Sequence, residues 1–336
     1  MFRSMSRYTL VAAALCLASA PTMADASPWT LPKDKFVLTL DSNYQSADEE
    51  YLPDGELQQF PLDGEFTAIT FSVGARYGIT DKIELAGDLN LKQINYKSAP
   101  VLLEIPDGAD SATLNDAIFD FSKSAAGVGD AELHGRYALV RGLVRVTSQT
   151  SVQFPVGYET PRGTFLDDEP NPAAIEDDVT LGDGQTNLTQ SFLFGAYVPA
   201  TRSFARLDAG YRLRVGTPGD QTVGGVSIGQ YLGDNFLVFV AGNGAYTLFE
   251  GESIGKSFIT RSPGKSPSEF DATEDIETID ITLDKDYLNV EGGVILKLRD
   301  LEMRASYGQI VWGSNIPRIS SFSLGVVYAL DNVTAE

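Results

Sequence analysis

The chain holds one histidine, His134, and its neighbours decide what chemistry it could do. Asp130, Glu132 and Arg136 stand at two-residue spacings around it. In an extended strand that spacing puts all four side chains on one face. A hydrolytic triad needs the histidine beside a serine and an orienting acid. No G-x-S-x-G motif accompanies His134, so a histidine satisfied within a charged strand face is the better reading. Zinc ligation is equally poorly supplied, because the sole cysteine, Cys16, lies in an export leader.

The same two-residue parity recurs at other charges. Glu84, Asp88 and Lys92 share one face of a segment, and Arg206, Asp208, Arg212 and Arg214 share one face of another. Arg145, Glu291, Lys297, Glu302 and Arg304 occupy matching positions in further segments. Both signs are present. Such a set can form cross-strand ion pairs that fill an interior. It can also form a charged constriction that selects solutes.

A second group of acids lies between these segments. Asp167, Asp168, Glu169, Asp177 and Asp178 fall in one long connection, and residues 250–285 are acidic too. Carboxylate clusters of this kind can hold Ca²⁺ or Mg²⁺ weakly. No EF-hand spacing is present, so a solvated acidic loop competes with that reading. No other cofactor is expected.

The elements that must position these residues are segments of alternating polarity. Twelve are expected, at 35–47, 65–79, 83–97, 127–139, 143–155, 185–198, 204–215, 223–232, 235–249, 286–299, 301–312 and 319–330. In the second, Thr67, Ile69, Phe71, Val73, Ala75 and Tyr77 fall on one face and smaller or polar residues on the other. That is the period of a β-strand. Five connections are tight, near Asp81, Arg141, Pro199, Gly233 and Arg299. The alternate connections include four long ones, at 48–64, 98–126, 156–184 and 250–285.

Hairpins that alternate short turns with long loops describe an all-β, antiparallel, up-and-down transmembrane β-barrel. In that arrangement the apolar face meets lipid and the charged face lines the lumen. Tyr77, Tyr137 and Tyr328 sit where one aromatic girdle belongs, and Tyr44, Phe154 and Tyr246 suit the opposite one. An even strand number puts both termini at the short-turn, periplasmic end.

Residues 1–26 read as a cleaved signal peptide, with Arg3 and Arg7 ahead of an apolar run at 10–20. Ala24-Asp25-Ala26 supplies the small-residue cleavage pattern, and cleavage after Ala24 or after Ala26 fits equally. Residues 27–34 are expected to be a short periplasmic segment, 35–330 the barrel and 331–336 a polar C-terminal tail. No plug domain fits between the leader and the first strand. The apolar run is too short for a helical span, and no longer one follows.

Composition narrows the function classes. Forty-six Asp and Glu against 25 Lys and Arg give a net charge of −21, which disfavours nucleic acid as a partner. The expected partners are outer-membrane lipid and lipopolysaccharide, the barrel-assembly machinery and an unidentified small solute.

Gly127-Val128-Gly129-Asp130 leads into one strand, Gly182-Asp183-Gly184-Gln185-Thr186-Asn187 into another, and Tyr211-Arg212-Leu213-Arg214 follows. With the leader and the hairpin series, these make the chain resemble the outer-membrane β-barrel family named after the meta-pathway of phenol degradation. The resemblance implies a bacterial outer-membrane channel or transporter without catalytic residues. The expected function is passive passage of small solutes through the charged lumen. The alternative is a structural or ion-binding barrel with a blocked lumen. A membrane-embedded hydrolase is disfavoured because the lone histidine faces the lumen.

Overall fold

The computed structural model describes residues 27–99, 101–102, 118–119, 122–158, 160–161, 165–166, 169–170, 180–260 and 276–330. The expected leader and the C-terminal tail lie outside the described residues. Twelve antiparallel strands form one closed barrel. They are β1 Phe36–Ala47, β2 Glu65–Gly78, β3 Ile83–Lys97, β4 Lys123–Val140, β5 Val144–Pro155 and β6 Thr186–Val198. The circle continues with β7 Ser203–Val215, β8 Gln221–Leu232, β9 Phe236–Thr247, β10 Asp286–Leu298, β11 Leu301–Ser314 and β12 Ser320–Leu330. Each strand pairs with its neighbours in sequence, and β12 returns to β1 with Phe36 opposite Leu330. The barrel sheet has no open edge, which removes the row of unpaired backbone groups that lipid could not satisfy.

These are the twelve expected segments, with displaced ends. The largest displacement is at β4, which begins at Lys123 rather than 127. Residues 123–128 pair with β3 across an irregularity between Leu89 and Leu91. The run Ser124-Ala125-Ala126-Gly127 has no polarity contrast, so its pairing leaves no periodic signal.

The two faces of the wall differ sharply. Leu40, Leu133, Leu207, Ile228 and Leu324 all point outward and are more than half exposed. Among the described residues, the charges at outward strand positions are Glu65, Lys97 and Asp286, all at the ends nearest the long loops. An apolar belt of this extent is untenable in water and is what lipid requires.

Inward positions change character along the barrel. At the loop end, Phe66, Ile94, Tyr96, Tyr287 and Ile310 project inward and pack with Tyr51, Phe60, Leu181, Ile316 and Ile319 from the connections. A small sheet of Glu49–Tyr51, Leu57–Gln59 and Ile316–Pro317 lies over this cluster. The apolar core of the molecule is thus a cap inside one end of the barrel. Toward the tight turns the inward face is polar on β2–β5 and mixes rings and aliphatic side chains with charges on β7–β12. Arg202, Gly233 and Arg299 supply the left-handed positions that let three of those turns reverse the chain in few residues.

Candidate functional site

The candidate site is the lumen below the cap, and three structures divide it: a polar network on one wall, a strap of chain across the floor, and a cavity. The network runs along β3, β4 and β5. Glu84 is fully buried, and its Oε1 accepts from Arg76 Nε at 2.8 Å and Arg136 Nη1 at 2.7 Å. Arg136 Nε donates to Gln149 Oε1 at 2.7 Å, and Gln149 Nε2 donates to Ser151 Oγ at 3.0 Å. His134 then joins Ser151, Nδ1 to Oγ at 2.8 Å, to Asp88, Nε2 to Oδ2 at 3.2 Å. Glu132 stands 3.6 Å from the same Nε2. Inward parity on adjacent strands is what brings these residues into one chain of contacts.

Ser151, His134 and Asp88 are therefore in contact, which spacing along the sequence did not reveal. Ser151 Oγ already accepts from Gln149, His134 is buried, and none of the three lines the cavity.

The strap is residues 27–34, expected to be a short periplasmic segment. It instead enters the lumen and follows half of the wall. Asp34 N donates to Gly78 O on β2 at 2.8 Å, and Leu31 N donates to Glu84 Oε2 on β3 at 2.7 Å. Arg76 Nη2 donates to Trp29 O at 3.2 Å, and Thr147 Oγ1 on β5 donates to Pro28 O at 2.8 Å. Trp29 meets Phe204 on β7 edge-on, with centroids 6.3 Å apart. In a circle of twelve strands, β7 is diametrically opposite β1. Two inward glycines make room. A Cβ at Gly78 would lie 2.0 Å from Pro32 O, and one at Gly195 would lie 2.4 Å from Pro28 Cγ. No plug domain was expected, and these eight residues lie across part of the lumen floor.

The cavity fills the other half of the floor and has a volume of about 730 Å³. Its lining comes from the strap and from β6–β12, with Trp29, Phe204, Tyr231 and Phe239 supplying rings. Arg206, Lys297, Glu302 and Arg304 also line it. Lys297 Nζ lies 2.9 Å from Glu302 Oε1 and 5.5 Å from the Tyr231 ring centroid. Arg304 Nη2 donates to Asp41 Oδ1 at 2.6 Å, and Arg206 Nη2 lies 3.6 Å from Asp208 Oδ1.

Above the cavity, connecting segments reach down from the loop end. Lys92 Nζ donates to Leu181 O at 2.7 Å, and Tyr158 hydrogen-bonds Asp130. Arg214 Nη2 lies 2.8 Å from Asp183 Oδ2, and its Nη1 donates to Leu283 O at 3.1 Å. Burial alone would push the Asp183 carboxyl up, but Lys285 and Arg214 outweigh it and hold it below the usual carboxylate range. This acid belongs to a connection read as solvated, and it serves as a buried clamp on a barrel arginine. Arg212 Nη1 donates to Gln221 Oε1 at 3.1 Å. Arg145 and Glu291 point inward and are half-buried.

Every lumen candidate from the sequence has inward strand parity, but the structure distributes them among wall, cavity and cap rather than around one ring. Asp167, Asp168, Asp177 and Asp178 lie outside the described residues, as does the side chain of Glu169. Among the described residues no three His, Cys, Asp or Glu side chains gather to hold a metal. Sequence reasoning missed Asp41, Arg76, Asp183 and the whole strap. The available signals were Trp29 between Pro28 and Pro32 in the short segment before β1, and glycines at inward positions 78 and 195.

No protein-family model and no curated protein sequence matches the chain. Solved structures do. An outer membrane channel from Pseudomonas putida F1 is 12% identical, with a TM-score of 0.60 over 91% of this chain and 98% of that one. The translocator domain of the autotransporter NalP from Neisseria meningitidis is 11% identical, with a TM-score of 0.46 over 88% of each chain. The NanC porin is 7% identical, with a TM-score of 0.44 over 87% of this chain and all of that one. What this chain shares with the Pseudomonas channel is the fold, that of an outer-membrane β-barrel.

Proposed function

We propose that this chain is a bacterial outer-membrane channel, not an enzyme, through which small solutes pass by diffusion along a charged lumen. One observation carries the reading: a closed barrel that is apolar outside, charged inside, and still holds a cavity of about 730 Å³. The tight-turn end, with both barrel termini, faces the periplasm, and the long acidic loops face outward toward lipopolysaccharide. Barrel-assembly machinery inserts it. The loops concentrate cations at the outer mouth.

The lumen is narrowed twice, by the strap at one end and the cap at the other, so conduction depends on one or both yielding. A second reading follows from the cap. The apolar cluster across the loop end suits a structural or ion-binding barrel whose lumen stays blocked. Recordings from the purified protein in planar bilayers separate the two. Discrete conductance steps are expected from the channel. No conductance under any voltage, salt or pH overturns the channel and leaves the blocked barrel.

A further inference from the structure

We propose that the cavity beside the strap is a binding site for small organic anions, molecules with a compact apolar body and one carboxylate-type head. The inference rests on the channel reading and names the class of solute that its lumen holds.

The size suits a small molecule, since ligand pockets are commonly ~300–1,000 Å³. The lining is unlike the opposite wall. There, inward positions are filled by Glu84, Arg136, Gln149 and Ser151, all hydrogen-bonded to one another or to neighbours. Here Trp29, Phe204, Tyr231, Phe239, Leu237 and Ile295 expose apolar surface to the cavity. Apolar surface turned toward a wet lumen favours an apolar guest.

The charges fix the sign of the head. Arg304 lines the cavity, while the acid that pairs with it, Asp41, does not. Arg206 lines it too, and its partner Asp208 does not. In the Arg304–Asp41 pair the acid is the less exposed partner, so the cationic side of Arg304 meets the cavity, whereas Asp208 is more exposed than Arg206 and offsets it. Lys297 and Glu302 both line it and offset each other, as do Arg202 and Asp234. The contact from Arg304 Nη2 to Asp41 uses one of five guanidinium N–H groups. A carboxylate in the cavity can take others in the bidentate geometry that guanidinium favours. A cationic guest meets Arg304 ahead of Asp41 and is repelled.

The test uses the whole protein in detergent and three ring compounds of one shape: cyclohexanecarboxylate, cyclohexylmethanol and cyclohexylmethylamine. The protein has two tryptophans. Trp312 faces outward, so a Trp312→Phe background leaves Trp29, on the cavity wall, as the reporter. Titration calorimetry and Trp29 emission are expected to show the carboxylate binding at least about tenfold more tightly than the alcohol, with the amine weakest. The double change Arg304→Gln with Asp41→Asn removes cation and acid together, so no buried charge is stranded. It should bring the carboxylate to the level of the alcohol and leave the alcohol unchanged. Heat-modifiable gel mobility checks that this variant is folded. Equal binding of carboxylate and alcohol to the parent overturns the anion assignment. Absence of binding by all three overturns the site. Bilayer recordings of the same preparation keep the two readings apart: conductance without binding removes the site and keeps the channel, whereas carboxylate binding without conductance keeps the site and removes the channel.

Discussion

The barrel's two half-walls at the tight-turn end are built from the same kind of strand, yet they spend their inward residues differently. On β2–β5 the charges are consumed. Glu84 holds two arginines and a strap amide, and the chain of contacts continues through Gln149 and Ser151 to His134. On β7–β12 the charges border a cavity, and Arg304 backs onto Asp41 while its other side meets that space. An inward charge is therefore not by itself a pore residue. Whether it is structural or available depends on whether another piece of chain has been laid against it.

The largest expected effect breaks the strap wall alone. Glu84→Ala leaves Arg76 and Arg136 without their acid and frees the Leu31 amide. It should cost ~3–5 kcal/mol, because breaking a buried pair strands its partner. Glu302→Ala removes a half-exposed partner of Lys297 on the cavity wall and should cost no more than ~1 kcal/mol. Urea titrations of folding into lipid vesicles measure both, and equal costs would erase the contrast between the half-walls.

The contrast concerns the inner face only, so the outer face should not respect it. Leu133→Arg on β4 and Leu324→Arg on β12 each place a charge toward lipid near mid-strand. Each should cost ~2–4 kcal/mol in the same assay. A large difference between them would mean that one half-wall does not face lipid.

Next in size is a change that dislodges the strap without touching a charge. Gly195→Val drives a side chain into Pro28 and should cost ~1–3 kcal/mol through overpacking. Single-channel conductance should rise as the floor opens. Gly135→Ala, where an added Cβ meets nothing within 4 Å, is the neutral control. Unchanged conductance in Gly195→Val would show that the strap does not limit flow.

The smallest expected effect lies at the other end of the barrel. Burial pushes the Glu50 carboxyl in the cap sheet up to about 7, against a partly opposing hydrogen bond from Gln58. A folded-state value raised above the unfolded one means stability present below about pH 4.5 and lost as pH rises through about 7. Melting temperature should therefore fall across that window, and Glu50→Gln should flatten the slope. An unchanged slope in Glu50→Gln would place the titrating group elsewhere, while a slope that follows conductance as well would tie the cap to gating.

The wall was legible in the sequence because lipid imposes one rule on every strand. Phe71, Leu133, Leu207 and Leu324 obey it independently, so a local pattern of period two suffices to place them. The inward parity of Glu84, His134 and Arg304 followed from the same rule. Their partners did not. Arg76, Asp41 and Asp183 act through contacts whose choice depends on register between strands, and register leaves no mark within a single segment. The strap was the least legible part. Thr147 and Pro28 are 119 residues apart, and eight residues are too few to show a period.

That separation also sets an order of events. The strap can dock only onto strands that already stand beside one another, since Glu84, Thr147 and Phe204 belong to β3, β5 and β7. Early in folding, the entropy of closing so long a loop opposes the contact. Once β1 is zipped to β12 and to β2, the same contact closes across a cavity a few strands wide, and the opposition falls away. Residues 27–34 are thus expected to be the last to settle. Glu84 and Arg136 are accordingly expected to keep their water until the strap is laid against them.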